Sequence, residues 1–163
     1  MVCSAAGDDR YRYGVSQGRV LVIDDEDDIR ELCRVNLEFE GFQVSDAPNG
    51  LVGLEAAARE RPDVIFLDLM MPEMDGWDVL RRLKEDDATA QIPVVLLTAR
   101  TGEDDQMRGW QAGILEYVSK PFNPLSLVEW AKRAMEPRDR AEEDERRQRI
   151  LDQLRLIQDL RES

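Results

Sequence analysis

Asp24, Asp25, Asp68, Thr98 and Lys120 each stand at or beside the end of an aliphatic run, in the stretches VLVIDDEDD, VIFLDLMMPEMDG, VVLLTA and YVSKPF. Three carboxylates gathered in one place repel one another, and a single ammonium cannot neutralise them. Such a group calls for a hard divalent cation with oxygen ligands. A cation, a free carboxylate, a hydroxyl and an ammonium together suit phosphoryl transfer onto a carboxylate, because that reaction depends mostly on positioning and charge neutralisation. Asp68 is the expected acceptor. The VIFL run before it is continuously apolar, as a strand buried on both faces should be, so its carboxylate is expected at the middle of a sheet edge. The acidic pair Asp24 and Asp25 would then hold the cation against it from a neighbouring strand.

The elements that must position these residues are legible as alternation. Strands are expected at 19–23, 42–45, 64–67, 94–97 and 117–119. The first is followed by Ile29, Leu32, Cys33 and Leu37 at helical spacing, and further helices are expected at about 51–59, 77–84, 103–112 and 124–135. Five strand-then-helix units argue for an α/β doubly wound parallel sheet with helices on both faces. In such a sheet the carboxyl ends of adjacent strands form the crevice where ligands bind.

At these motifs the chain resembles the receiver domain of two-component response regulators, over residues 19–136. The resemblance implies a flavodoxin-like five-stranded sheet in the order 2-1-3-4-5. It implies that Asp68 takes a phosphoryl group from a histidine kinase or phosphotransfer protein. Asp25, Asp68 and the main-chain carbonyl of Met70 would hold Mg²⁺, with Asp24 in the outer shell. Thr98 and Lys120 would contact the phosphoryl oxygens, Tyr117 would be the aromatic that changes rotamer, and the Lys120–Pro121 bond would be cis. A signalling phosphoacceptor is implied rather than an enzyme, able at most to assist its own phosphorylation and dephosphorylation. The pattern is nearest that of winged-helix regulators, given Met70, Arg100 and Arg108–Gly109. Those regulators pair through charged residues, whereas the corresponding positions here are Gln106, Leu115 and Trp130, with Glu116 the acid that remains. Trp110 and Ile114 lie nearby, so Trp110, Ile114, Leu115 and Trp130 are expected to form an apolar output face in place of a salt-bridged dimer.

Composition narrows the classes. The chain has 163 residues and a net charge of −13. Residues 19–136 hold 13 Lys/Arg against 25 Asp/Glu, and residues 137–163 hold 7 against 8. No basic stripe is present for direct nucleic-acid binding. Cys3 and Cys33 make no disulfide framework, which suits a cytoplasmic protein. No apolar run approaches the ~20 residues that span a bilayer. There is no histidine, so a phosphohistidine within the chain is excluded and the phosphoryl donor is another molecule. Asp27, Asp28, Glu103, Asp104 and Asp105 fit acidic first turns of helices, Asp75–Gly76 fits a turn and helix cap, and Trp77 and Cys33 fit packing roles.

Residues 1–18 are polar and glycine-punctuated and are expected to be disordered. After Pro137, the pairs Glu142/Arg146, Glu143/Arg147 and Glu145/Arg149 fall at i,i+4, and Ile150, Leu154 and Ile157 form a short stripe flanked by Leu151 and Leu160. Residues 137–163 are therefore expected to form a charged amphipathic helix, which could pack on its own receiver, on a twin or on another protein. The whole reads as a stand-alone response regulator whose output is contact with a downstream protein, or with a second copy in a homodimer. The principal rival is an adaptor that keeps the acidic pocket but signals without phosphate. A haloacid-dehalogenase-type hydrolase is disfavoured, because that group needs Asp-x-Asp after its first strand, where this chain has adjacent Asp24–Asp25.

Overall fold

A computed structural model describes residues 16–163. Five strands, β1 (Arg19–Ile23), β2 (Gln43–Ala47), β3 (Val64–Leu67), β4 (Val94–Thr98) and β5 (Glu116–Ser119), form one sheet in the order β2-β1-β3-β4-β5. All neighbouring pairs are parallel. Six helices accompany them among the described residues: α1 (Asp27–Phe39), α2 (Gly50–Glu60), α3 (Gly76–Glu85), α4 (Glu103–Gln111), α5 (Pro124–Met135) and α6 (Arg140–Glu162). The doubly wound flavodoxin-like arrangement expected from the alternation is the one observed.

Strand side chains alternate between faces, and this divides the core in two. Leu21, Ile23, Ile65, Leu67 and Leu96 point to the side covered by α2, α3 and α4. Val20, Val22, Val64, Phe66, Val95 and Leu97 point to the other, where Cys33 and Leu37 of α1 meet Leu127, Val128 and Ala131 of α5. The three central strands are buried on both faces, which explains their unbroken aliphatic sequences. Edge strand β2 differs. It runs two residues beyond the expected end, and the charged Asp46 is accommodated there by Arg30 Nε at 3.1 Å and Arg34 Nη2 at 2.7 Å.

Side-chain caps fix where several helices begin. Asn49 accepts from Val52 N, Asp75 from Asp78 N, Asn123 from Leu125 N and Asp139 from Ala141 N, satisfying amides that have no partner within the helix. Asp75 is thus the cap the sequence suggests. Gly76 has a further reason: a Cβ there would lie 2.3 Å from the Asp68 carbonyl oxygen, so α3 starts hard against the end of β3.

Two terminal expectations need correction. Most of the tail expected to be disordered lies outside the described residues, but Gln17 is tied down. Its N donates to the Gly41 carbonyl at 2.9 Å and its Nε2 to that of Glu40 at 3.1 Å. At the other end, α6 packs on its own receiver, beside α4, with Leu151 and Leu154 in the buried cluster that includes Trp110 and Ile114. The buried stripe is not Ile150–Leu154–Ile157, since Ile157 is 41% exposed and Leu160 69%. Of the three expected i,i+4 pairs only Glu145–Arg149 forms, at 3.9 Å. Arg146 instead reaches Glu116 at 2.8 Å, Arg147 pairs with Asp144 at 2.9 Å, and Glu143 with Arg138 at 3.6 Å. Docking on the receiver offered Arg146 a better partner than its own helix did.

Candidate functional site

The site is built where β1, β3, β4 and β5 end side by side. Asp24 follows β1, Asp68 follows β3, Thr98 closes β4 and Lys120 follows β5. Asp24 and Asp68 are almost wholly buried, at 1% and 2% exposure, which is costly for carboxylates without partners. Lys120 supplies one: its Nζ lies 2.7 Å from Asp24 Oδ2, 3.3 Å from Asp68 Oδ2 and 3.2 Å from Glu26 Oε1. The Lys120–Pro121 bond preceding the next turn is cis. Backbone amides hold the other carboxylate oxygens. Glu26 N donates to Asp24 Oδ1 at 2.9 Å, and Met70 N donates to Asp68 Oδ1 at 3.1 Å.

Electrostatics mark the site as short of positive charge. Burial pushes Asp68 up to about 6, helped by the charge of Asp24 and opposed by the Met70 amide and Lys120. Burial also raises Asp24, against the hydrogen bond from Lys120. For Lys120 burial alone would lower the pKa, but the hydrogen bond and charge of Asp24, then Asp68 and Glu26, raise it above the ordinary lysine range. One ammonium thus faces four acids: Asp24, Asp25, Glu26 and Asp68 each offer an oxygen, all within 4.8 Å of one another. An all-oxygen, acid-rich set with this charge deficit fits a hard divalent cation.

The structure therefore brings Asp24, Asp25, Asp68 and Lys120 together, with Met70 in the adjoining loop. Thr98 is fully buried and its hydroxyl accepts from Arg100 N at 3.1 Å. Tyr117 stands one strand away, its hydroxyl donating to the Arg100 carbonyl; burial, with the charge of Asp105, pushes its phenol up to about 12. Thr98 and Tyr117 are thus both bonded to Arg100, one to its amide and one to its carbonyl. Glu26 was missed in the sequence. It sits immediately after the acidic pair and immediately before α1, so the same DDEDD run held the signal. Cys33 is a free buried thiol whose pKa burial pushes up to about 12, in keeping with a packing role. Trp77 is buried, with the Arg108 guanidinium 4.3 Å from its ring centroid.

The expected output face is not exposed. Trp110 is 3%, Ile114 1% and Leu115 8% exposed, and Trp130 is half-buried. The reason is α6. Its Arg146 guanidinium lies 5.3 Å from the Trp110 centroid and 5.8 Å from that of Trp130. The same side chain donates to the Leu115 carbonyl at 3.3 Å and to Glu116 at 2.8 Å. Part of the expected output face is thus occupied by a helix of the same chain.

Comparison with known proteins agrees with the geometry. The model of the response regulator receiver domain matches residues 20–132. The DNA-binding dual master transcriptional regulator RpaA of Synechocystis is 37% identical over 135 residues, 83% of this chain and 56% of that protein. Response regulator PleD of Caulobacter vibrioides is 43% identical over 109 residues, 67% of this chain and 24% of that protein. The chain thus spans about half the length of the first of these relatives and a quarter of the second. The chemotaxis protein CheY4 of Vibrio cholerae superposes with a TM-score of 0.67 at 30% identity, covering 71% of this chain and 97% of that one. The beryllofluoride-activated receiver domain of DrrB gives 0.66 at 31% identity, covering 74% and 98%. Sheet order, acidic pocket and sequence match converge: the chain belongs to the response regulator receiver domain family, whose members are phosphoacceptors in signal transduction.

Proposed function

We propose that Asp68 accepts a phosphoryl group from a phosphohistidine on a kinase or phosphotransfer protein, and that the chain signals by protein contact. The observation that carries this reading is the buried Asp68 carboxylate at the tip of the central strand, bracketed by Asp24 and Lys120. Met70 N holds Asp68 Oδ1, which fixes the carboxylate's orientation. An Asp68 oxygen bonds to phosphorus as the P–N bond to the donor imidazole breaks, and the imidazole leaves with the electron pair. Lys120 faces the negative charge that arrives, and Thr98 is the hydroxyl at the end of the adjacent strand. Asp25 and Asp68, with the Met70 carbonyl and Asp24 behind them, are the groups that would hold Mg²⁺. When bound, that ion supplies positive charge to the transferring oxygens. Output follows from α6: the surface of α4, β5 and α5 and the buried side of α6 must part before either can meet a partner.

Incubation with acetyl phosphate and Mg²⁺, followed by intact mass, tests the chemistry. One acid-labile phosphoryl adduct is expected on the native chain and none on Asp68→Asn. An undiminished adduct on that variant would overturn the assignment, and no adduct at all would favour an adaptor that works without phosphate.

A further inference from the structure

A cavity of about 550 Å³ lies beneath the first turns of α6, on the side of the sheet where β4 and β5 begin, away from Asp68. Its volume falls within the roughly 300–1,000 Å³ of small-molecule sites. Six basic side chains line it: Lys84, Arg133, Arg138, Arg140, Arg146 and Arg147. Only three acids do, namely Glu136, Glu143 and Asp144, in a chain whose net charge is −13. Basic groups are thus concentrated where the molecule as a whole is acidic.

Arg138, Arg146 and Arg147 pair with Glu143, Glu116 and Asp144, whereas Lys84, Arg133 and Arg140 have no carboxylate partner among the described residues. Lys84 Nζ has the Ala90 carbonyl at 3.5 Å and no carboxylate within ion-pair distance among the described residues. Arg140 bonds Gln91 Oε1 at 3.0 Å, a neutral partner. Arg133 lies over Trp130, its guanidinium 5.3 Å from the ring centroid. Arg147 reaches Asp144, yet its Nε is buried with no acceptor. Burial lowers the pKa of Lys84, and the charges of Arg147 and Arg138 lower it further. Lys84, Arg146 and Arg147 are half-buried, and partly desolvated cations held close to one another are costly unless something negative joins them. Arginine forks match phosphate oxygens in pairs.

We propose that this cavity binds a small molecule carrying several phosphate groups, and that the ligand clamps α6 to the receiver. Its contacts come from the end of α3, the loop before β4, the end of α5 and the start of α6, so one anion bridges all four. Neither the site nor its ligand depends on the role given to Asp68.

Isothermal titration of the full chain with sodium tripolyphosphate, in buffer containing EDTA, tests this. EDTA removes any divalent cation that would draw phosphate to the acidic pocket. Saturable one-to-one binding is expected, weakened at least tenfold by Lys84→Met and by Arg140→Gln. Asp68→Asn, and Lys132→Gln on the exposed side of α5, should leave it unchanged. Arg140 is exposed, so its variant tests the site even if Lys84→Met folds poorly. Amide exchange in residues 140–162 should slow when the probe is bound. The proposal is overturned by absence of saturable binding, or by sulfate at matched ionic strength binding as well as tripolyphosphate. It is also overturned if Arg140→Gln binds like the native chain, or if Asp68→Asn abolishes binding.

Discussion

At the scale of single residues, the acidic pocket is a strained balance whose sign can be measured. Asp68 is raised from an ordinary 3.8 to about 6, so the folded chain holds its proton more tightly than the unfolded chain. A raised carboxylate favours folding below its unfolded pKa, and that contribution is lost as pH rises from about 4 through 6. Above pH 6 the ionised Asp68 is a net cost, of order 1–3 kcal/mol at 1.36 kcal/mol per unit. Asp68→Asn should therefore stabilise the metal-free protein by about that amount at pH 7 and by little at pH 3.5. Urea unfolding in EDTA at both values measures it, and a loss of stability at pH 7 would contradict the balance drawn here. Gly76 carries the opposite sensitivity. Its Cβ would meet backbone, at 2.3 Å from the Asp68 carbonyl oxygen and 2.6 Å from Leu69 Cα, and backbone yields less readily than a side chain. Gly76→Ala should cost about 3 kcal/mol and slow phosphorylation as well, because the strand tip that aims Asp68 has to shift. Denaturation and an acetyl phosphate time course on the same sample would show both effects.

At the scale of elements, α6 decides what the switch can move. Leu151 and Leu154 are 6% and 7% exposed, and truncating either to Ala should cost about 2–3 kcal/mol. The same changes should raise the exposure of Trp110, read as a red shift in tryptophan emission. If phosphate at Asp68 loosens this contact, beryllofluoride with Mg²⁺, a phosphoryl mimic, should speed amide exchange in 140–162 together with 103–117. Unchanged exchange at confirmed saturation would separate α6 from the pocket. Gly109 is part of that route, though not by making α4 weak, as helix propensity alone suggests. A Cβ there would meet Ile114 Cδ1 at 3.0 Å, Leu96 Cδ1 at 3.2 Å and Tyr117 Cδ2 at 3.3 Å, so the glycine allows α4 to pack closely beside Tyr117. Asp24, Asp68, Thr98 and Lys120 were legible in the sequence because each directly follows or ends a strand that aliphatic runs announce, whereas Glu26, further past β1, was not. The seat of α6 was not legible. Ile150, Leu151, Leu154, Leu156, Ile157 and Leu160 spread over too wide an arc of the helix to set its phase. Arg146 finds its partners 16 to 36 residues away, where no local pattern points.

At the scale of the whole molecule, charge is distributed unevenly between the two ends of the sheet. Four acids within 4.8 Å cluster where the strands finish, while the basic cavity lies where β4 and β5 begin. Among the described residues Lys120 is the only cation paired with these acids, so a divalent cation bound there should raise stability by mass action: roughly 2.7 kcal/mol at a hundred times its dissociation constant. Simple screening would act on every exposed charge of this acidic chain and would be matched by NaCl at equal ionic strength. Binding would not be matched. Thermal unfolding should therefore show a larger rise in Tm with MgCl₂ than with ionic-strength-matched NaCl. Asp25→Asn should remove most of that difference, whereas Asp144→Asn, at the far end of the molecule, should leave it intact. Equal rises with the two salts would mean that the four carboxylates are relieved by diffuse screening, and the cation site would have to be abandoned.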